Sequence, residues 1–403
     1  MIFSKTPKHK SYDIVIVGGA MMGSSLAFHL KKNGFDGRVL VIEQDPTYEL
    51  SSTAHTNSCI RQQFSTPLNI QISQYGARCI KDFRHYLGDD PRVPELDIWS
   101  FGYLYLAGTG NAADRLRELS EIQCREDVDT QILSPEDIAA RYPFYDLDDV
   151  LLGSLNQKDE GYWDGATVFD WFKRKAQDLG VEYVNETVLA IGRHAGQGTV
   201  CEVIVSSGQS IPCGTLVNCA GPRAAKVAEM AGIKLPVVPK KRYSWIFKAA
   251  EPLPCDLPLT IDPSGFHVRD NGGGTYLCGG HDALDPDVSC DDFAIDHDLW
   301  ETEIWPALAA RIPAFENIKL THTWVGHYAM NTIDQNAILG PHPEIENFLF
   351  MNGFSGHGLQ QAPALGQGLA EWIINGSYST LDLTPFHFER LLSDCPIRED
   401  AVI

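Results

Sequence analysis

Residues 12–45 read YDIVIVGGAMMGSSLAFHLKKNGFDGRVLVIEQD, and this stretch decides the fold. An apolar run at 14–17, of the kind buried in a parallel sheet, passes at once into Gly18-Gly19-Ala20-Met21-Met22-Gly23. The spacing of Met22, Leu26, Ala27 and Leu30 predicts a helix after the turn, Gly34 marks its C-terminal stop, and residues 38–43 supply the next strand. A tight glycine turn at a helix N terminus aims backbone N–H groups and the positive end of the helix dipole at a pyrophosphate. Glu43 ends the second strand, where a carboxylate accepts hydrogen bonds from both ribose hydroxyls and repels a 2′-phosphate. The unit therefore points to FAD or NAD rather than NADP. Ala20 stands where the GxGxxG pattern has its second glycine, so the loop sits slightly further from the phosphate or keeps negative φ. A glycine-rich turn without a ligand is the competing reading of the motif alone; strand, turn, helix, strand and acid in this order favour the nucleotide.

At 403 residues, with 44% hydrophobic and 21% charged residues, the chain can form two domains with a core each, and disordered and fibrous classes are excluded. A formal charge of -21 argues against nucleic acid and anionic membranes as partners. An anionic substrate then needs a local arginine or lysine that outweighs the global field. The ten cysteines include no CxxC pair and no His/Cys cluster at metal spacing. No metal site is expected, and the scatter fits reduced thiols in a cytoplasmic protein. No apolar run approaches the ~20 residues of a membrane-spanning helix. The N-terminal residues, with Lys5, Lys8 and Lys10, lack the apolar core of a secretory signal.

Beyond Asp45, PTYELSSTAHTNSCIRQQFSTPLN (46–69) reads as a polar loop leading into a helix at 69–87. Arg61 in that loop lies near the expected cofactor face, where a guanidinium can hold a carboxylate bidentately; a solvated surface arginine is the alternative. His55 is ambiguous from the residues alone. Residues 89–149 alternate a strand (102–107) with helices (112–124, 135–141) and open a second domain. A helix at 167–179 and strands at 181–184, 186–191, 202–205 and 216–219 follow, with Gly208 in a hairpin turn. LVNCAGPR (216–223) again runs a strand into a glycine turn and a helix (224–231). Strand-like segments at 236–247, 265–269 and 276–279, rich in Val, Tyr, Trp and Phe, suit an antiparallel sheet walling a small-molecule pocket, and a helix at 296–311 comes next. A third strand, 348–351, feeds GFSGHG (353–358) and a helix with Ala362, Leu365, Leu369 and Ile373 on one face. Three glycine turns so widely spread imply an α/β fold with a discontinuous, Rossmann-like cofactor domain (1–88, 150–224 and 325–385). An α+β substrate domain with an antiparallel sheet (89–149 and 225–324) is inserted in it, and a C-terminal tail (386–403) carries no readable signal.

VGGAMMG (17–23) with Glu43, SSTAHTNSCIRQQFS (51–65), DEGYWD (159–164), VNCAGPRA (217–224) and GFSGHGLQQAP (353–363) together resemble the D-amino-acid oxidase and sarcosine oxidase superfamily of FAD-dependent amine oxidoreductases. The resemblance extends over nearly the whole chain, including PKKRYSW (239–245), NTIDQN (331–336) and GPHP (340–343). It implies FAD in extended form, with the flavin ring between the two domains. By that resemblance Gly18, Gly19, Ala20, Met21, Met22, Gly23, Glu43 and Gln44 hold the ADP half, and Val188 lines the adenine pocket. Ser52, Thr53 and His55 join from the long loop and Ala220 and Gly221 from the middle turn. Gly353, Gly356, His357, Gly358 and Leu359 lie by the flavin ring, with His357 as part of a positioning turn rather than a side-chain catalyst.

The resemblance also assigns substrate-side roles. Arg61 matches the arginine that pairs with the substrate carboxylate, and Gln360 stands where sarcosine oxidase-like members have a second cation. His281 matches an active-site histidine; Tyr243 shapes the pocket and His327 sits near the ring, at the place of the cysteine that tethers flavin in monomeric oxidases. Leu277 occupies the position of the lysine that promotes reaction with oxygen, which favours a dehydrogenase. Ser52-Thr53-Ala54-His55 is similar to the STWH of dimethylglycine and sarcosine dehydrogenases, whose histidine is bonded to the flavin, so His55 is the candidate for a covalent link. The implied function is oxidation of the C–N bond of a small secondary or tertiary amine, an N-methyl or N-alkyl amino acid. Hydride passes to flavin N5, the imine hydrolyses, and electrons leave to an acceptor protein. The alternatives are an oxygen-using oxidase and an assembly or interaction protein that keeps FAD as a structural element.

Overall fold

The computed structural model describes residues 3–194, 198–393 and 396–401. The opening unit forms as its pattern predicts, with β1 (Tyr12–Val17), α1 (Met21–Lys32) and β2 (Val39–Glu43). β1 and β2 pair in parallel, Ile14 opposite Val39 and Val17 opposite Ile42. Alternate side chains serve two cores, which is why the runs are apolar throughout. Ile14, Ile16, Val39 and Val41 pack on the side of α1 and the Gly358–Asn375 helix. Val15, Val17, Leu40 and Ile42 pack with Val203, Leu216 and Phe348 on the other.

This first sheet runs in the order Ile338–Pro341, Phe348–Asn352, Ser210–Asn218, β1, β2 and Glu182–Asn185, with the Val188–Arg193 and Val200–Val205 strands attached through Ser210–Asn218. Ser210–Asn218 is parallel to both β1 and Phe348–Asn352. The strands that precede the three glycine turns are therefore neighbours, and the turns open along one carboxyl edge of the sheet, where such folds bind ligands. α1 crosses the Gly358–Asn375 helix closely. A Cβ at Gly366 would lie 2.2 Å from Ser25 Oγ, and that hydroxyl donates to the Ala362 carbonyl at 2.6 Å.

The second sheet has the order Ile318–Asn331, Val237–Ala249, Thr275–Gly280, His267–Gly272, Leu259–Ile261, Tyr103–Ala107, Leu152–Asn156 and Gln131–Leu133. It is antiparallel except for the pairing of Leu259–Ile261 with Tyr103–Ala107. Trp245, Phe247, Leu308 and Phe315 form its core.

Several elements differ from the sequence reading. Leu152–Asn156, inside the 150–224 span, pairs with Tyr103–Ala107 in the second sheet. Ile318–Asn331 is one long strand that crosses the 324/325 boundary; its exposed first half, with Lys319 and Thr321, hides the alternation that marks a strand. The helix of 296–311 is broken by a π-type turn at Trp300–Ile304, just ahead of Pro306, which has no N–H to continue the ladder. The expected tail packs back onto the body through buried Arg390 and Glu399, while Cys395 and the rest of 394–395 and 402–403 lie outside the described residues. No helix among the described residues is long and apolar enough to cross a membrane.

Candidate functional site

β2 delivers Glu43 to the sheet edge, where its carboxylate accepts from the backbone N–H of Gly19 at 2.8 Å and of Asp45 at 2.9 Å. Burial raises its pKa, against those two bonds. Gly18 has φ +98°, and a Cβ there would meet the Cys219 carbonyl at 2.5 Å, so the first and middle turns close on each other only because it is glycine. A Cβ at Gly23 would lie 1.9 Å from the Gly18 carbonyl, so Gly23 lets α1 begin directly beneath the turn. Ala20 keeps negative φ, at -70°, and caps α1 without a side-chain bond.

A cavity of about 790 Å³ starts here, within the roughly 300–1,000 Å³ of ligand pockets. From Glu43, Gln44 and Val188 it passes Gly18, Ala20, Met21 and Met22, then the Ala220–Gly221 turn with Ser52, Thr53 and His55, and reaches Gly356, His357, Gly358, Leu359 and Gln360. Gly19, Gly23 and Gly353, expected at the cofactor, do not line it. Gly19 and Gly23 shape the first turn, and Gly353, at φ +69°, packs on Asn331 and Ile338. The N terminus of the Gly358–Asn375 helix, like that of α1, has no side-chain cap. A carboxylate at one end and two uncapped helix N termini along a single cavity fit an extended dinucleotide with a pyrophosphate.

At the far end Tyr328 packs its ring on Gly356, where a Cβ would come within 2.3 Å and φ is +93°. His357, buried at the start of the last helix, accepts at Nε2 from Arg61 Nη2 at 2.8 Å. Burial, then the Arg61 charge, hold its pKa well below the ordinary value, so it is neutral. Arg61 is 3% exposed, which rules out the solvated-surface reading. Its guanidinium also donates to the Tyr105 hydroxyl and the Ala401 carbonyl and lies 4.5 Å from the Phe64 ring centre. Gln360 accepts from the Arg61 backbone N–H at 2.8 Å, and so positions the loop rather than a ligand in this conformation. Behind Arg61, Glu160 accepts from the N–H groups of Gln62 and Gln63, and burial pushes its pKa up to about 7.

His55 donates from Nδ1 to the Ser51 carbonyl at 3.0 Å, and its ring lies 5.5 Å from Phe293, which in turn lies 4.5 Å from His327. His327 donates from Nε2 to the Asp292 carbonyl at 2.9 Å, and burial lowers its pKa. Half-buried His281 is turned to the Asp282 carbonyl, and Tyr243 stacks on Trp245 at 5.6 Å. All four line the cavity. Leu277 does not: the cavity touches the Thr275–Gly280 strand only at Gly280, and Leu277 is buried further back.

Arg242, His267, Asn57, Ser244 and Tyr328 also line this end and were not singled out from the sequence. Asn57 donates to His267 Nε2 at 2.7 Å and accepts from Ser244 Oγ at 3.1 Å. Burial, with the nearby arginines, lowers the His267 pKa to about 3. Gly279 faces His267 across the sheet, and a Cβ there would strike the ring at 2.2 Å. The only sequence trace of this arrangement is the Gly279-Gly280 pair, whose meaning depends on the strand register.

The chain matches the family described as "FAD dependent oxidoreductase" (DAO) over residues 13–372. It is 36% identical over 424 residues to FAD-dependent oxidoreductase domain-containing protein 1 of Xenopus laevis, covering 97% of this chain and 85% of that one. It is 27% identical to human mitochondrial sarcosine dehydrogenase, covering 98% of this chain but 43% of that protein. The fold superposes on L-proline dehydrogenase from P. horikoshii with a TM-score of 0.80 at 26% identity, over 94% of this chain and 98% of that one. The chain therefore belongs to the DAO family of FAD-dependent oxidoreductases, and its cofactor is FAD.

Proposed function

We propose that this oxidoreductase acts as a dehydrogenase on the C–N bond of a small secondary or tertiary amine that bears a carboxylate, an N-methyl or N-alkyl amino acid. The observation that carries the reading is the continuity of one cavity from Glu43 to a chamber walled by Arg61, Arg242, Asn57, His267 and Tyr328. FAD, when bound, supplies the two-electron acceptor for such an oxidation. The chain positions and shields. Glu43 and the first two turns hold the nucleotide, and the Gly356–Gly358 backbone with the Gly358–Asn375 helix N terminus lies by the ring, where a helix dipole favours added negative charge. His267 and His357 are neutral, so they leave a neutral amine unprotonated and add no charge to repel it. Arginine in a chain of charge -21 provides the local field that a carboxylate needs. Tyr243, His281 and His327 narrow the chamber, and water re-entering hydrolyses the imine. Support for a dehydrogenase over an oxidase comes from the similarity to sarcosine dehydrogenase, since Leu277 lies away from the cavity and does not bear on the choice; an acceptor protein would then take the electrons. His55 is the proposed tether for FAD, since it lines the cavity with Nδ1 already held by Ser51.

The test is anaerobic mixing of the FAD-loaded protein with N-methyl amino acids, D-amino acids and 2-hydroxy acids. Bleaching of the flavin by the first group, with little oxygen uptake in air, is the expected result. Bleaching by none of them removes the amine-oxidising reading, and rapid oxygen consumption makes the protein an oxidase.

A further inference from the structure

We infer that the 397–401 segment is a positioning element of the substrate end: the Ala401 carbonyl sets the orientation of the Arg61 guanidinium, and with it the strength of that guanidinium's hold on a substrate carboxylate. The inference rests on the amine-oxidising reading, in which a substrate bearing a carboxylate enters the chamber that Arg61 lines.

Arg61 Nη1 donates to the Tyr105 hydroxyl, and Nη2 donates to both His357 Nε2 and the Ala401 carbonyl. With both Nη nitrogens bonded, the plane of the guanidinium is fixed. Arg61 and His357 line the cavity, whereas Tyr105 and Ala401 do not, so these two oxygens hold the guanidinium from outside the chamber. Burial and the Arg61 charge lower the His357 pKa and the Ala401 carbonyl opposes them, which puts that oxygen beside both side chains. Burial also disfavours the charged form of Arg61; the Tyr105 and Tyr103 hydroxyls, followed by the Glu399 and Glu160 carboxylates, more than offset it. A guanidinium recognises a carboxylate by the direction of its N–H bonds, so whatever fixes its plane governs that recognition.

The carbonyl is itself held in place. Glu399, fully buried, accepts from the Ala401 N–H at 3.0 Å and from the Ser65 N–H at 2.8 Å, so one carboxylate turns the segment and ties it to the loop that carries Arg61. The Glu399 N–H donates to the Asp334 carbonyl at 3.0 Å, and the Asp400 N–H to Ser65 Oγ at 2.9 Å. Asn336 Nδ2 donates to the Ile397 carbonyl at 2.5 Å. The segment therefore grips one loop twice, by its backbone at Ser65 and by its side chain at Arg61. A strap that only covered the surface would need the first grip; the second aims a backbone oxygen at a cation that is 3% exposed.

The test separates positioning from simple stability by comparing a charged ligand with a neutral one. Full-length, FAD-loaded protein is titrated with cyclopentanecarboxylate and with cyclopentanecarboxamide, neither of which carries an oxidisable amine, while the flavin absorbance is followed. The wild type should bind the acid at least about tenfold more tightly than the amide, and Arg61→Lys should lose about tenfold for the acid. Two variants disturb the segment: Glu399→Gln removes the carboxylate, and Ala401→Pro removes only the N–H through which Glu399 aims the carbonyl. Each should weaken the acid by about 5–30-fold and the amide by less than about twofold. Placed in the Arg61→Lys background, each should change acid binding by less than about twofold, because the two residues act on one interaction. Equal losses for acid and amide, wild-type acid affinity in Arg61→Lys or in both segment variants, or an acid loss that persists undiminished in the Arg61→Lys background overturns the inference. Should Glu399→Gln fail to load FAD, Ala401→Pro decides, and unchanged acid affinity there also overturns it. Equal binding of acid and amide by the wild type removes the carboxylate reading and the inference together. If the segment acts on the acid through Arg61 yet no amine bleaches the flavin, the positioning role stands and the amine-oxidising reading falls.

Discussion

His55 and His357 are both histidines in loops beside the cavity, and their surroundings give them opposite parts. His357 is buried and spends Nε2 on Arg61, so it is a structural acceptor. His55 is half-buried and spends Nδ1 on a backbone carbonyl, with no bond to Nε2 among the described residues. That leaves Nε2 available for the link to FAD proposed above. After acid denaturation and electrophoresis, wild-type chain should carry yellow fluorescence, and His55→Ala should release all of it to the supernatant. Colour lost from both proteins alike rejects the link. The sequence marked Arg61 as a residue of the cofactor face, yet its partners come from Tyr105, His357 and Ala401, which only the fold assembles.

At the scale of elements, the C-terminal segment is the largest departure from what the sequence shows. Its residues read as charged and patternless, but Glu399 is fully buried and accepts from the Ser65 N–H at 2.8 Å, the Thr66 N–H at 3.1 Å and Asn69 Nδ2 at 2.9 Å. It ties down the segment leading into the Pro67–Lys81 helix and reaches Asn69 from 330 residues away in sequence. Arg390 does the same kind of work on Asp334, through Nε at 2.7 Å and Nη2 at 3.0 Å. Glu399→Ala leaves several buried donors without an acceptor and should cost about 3 kcal/mol, read from urea unfolding. Because Ser65 and Arg61 share a loop, FAD affinity should fall with it. A loss under about 1 kcal/mol would show that the segment only rests on the surface.

Over the whole molecule, buried neutral histidines set the response to acid. Burial lowers His29 and His267 to about 3 and holds His357 well below its ordinary value. Their folded pKa values lie below the unfolded one, so the unfolded chain binds more protons, and the stability they contribute is lost as pH falls below about 6.5. Glu160, raised to about 7, works in the opposite sense: it gains stability as pH falls through that value. Three histidines outweigh one carboxyl, and unfolding free energy should drop by about 2 kcal/mol from pH 7.5 to 5.5. His267→Asn should drop by less. Equal or greater wild-type stability at pH 5.5 contradicts this balance.

The sequence by itself determined the strand–turn–helix units, their glycines and the acid at 43, because these depend on local periodicity and on backbone conformations confined to a few residues. It thereby determined the family and the cofactor. The tertiary structure alone decided which side chains share the chamber. His267 fits there through Gly279 on the neighbouring strand, Tyr328 through Gly356 on a distant turn, and Arg242 has its plane set by Asp285. Those relations are made by strand register and long-range packing, which the order of residues along the chain does not display.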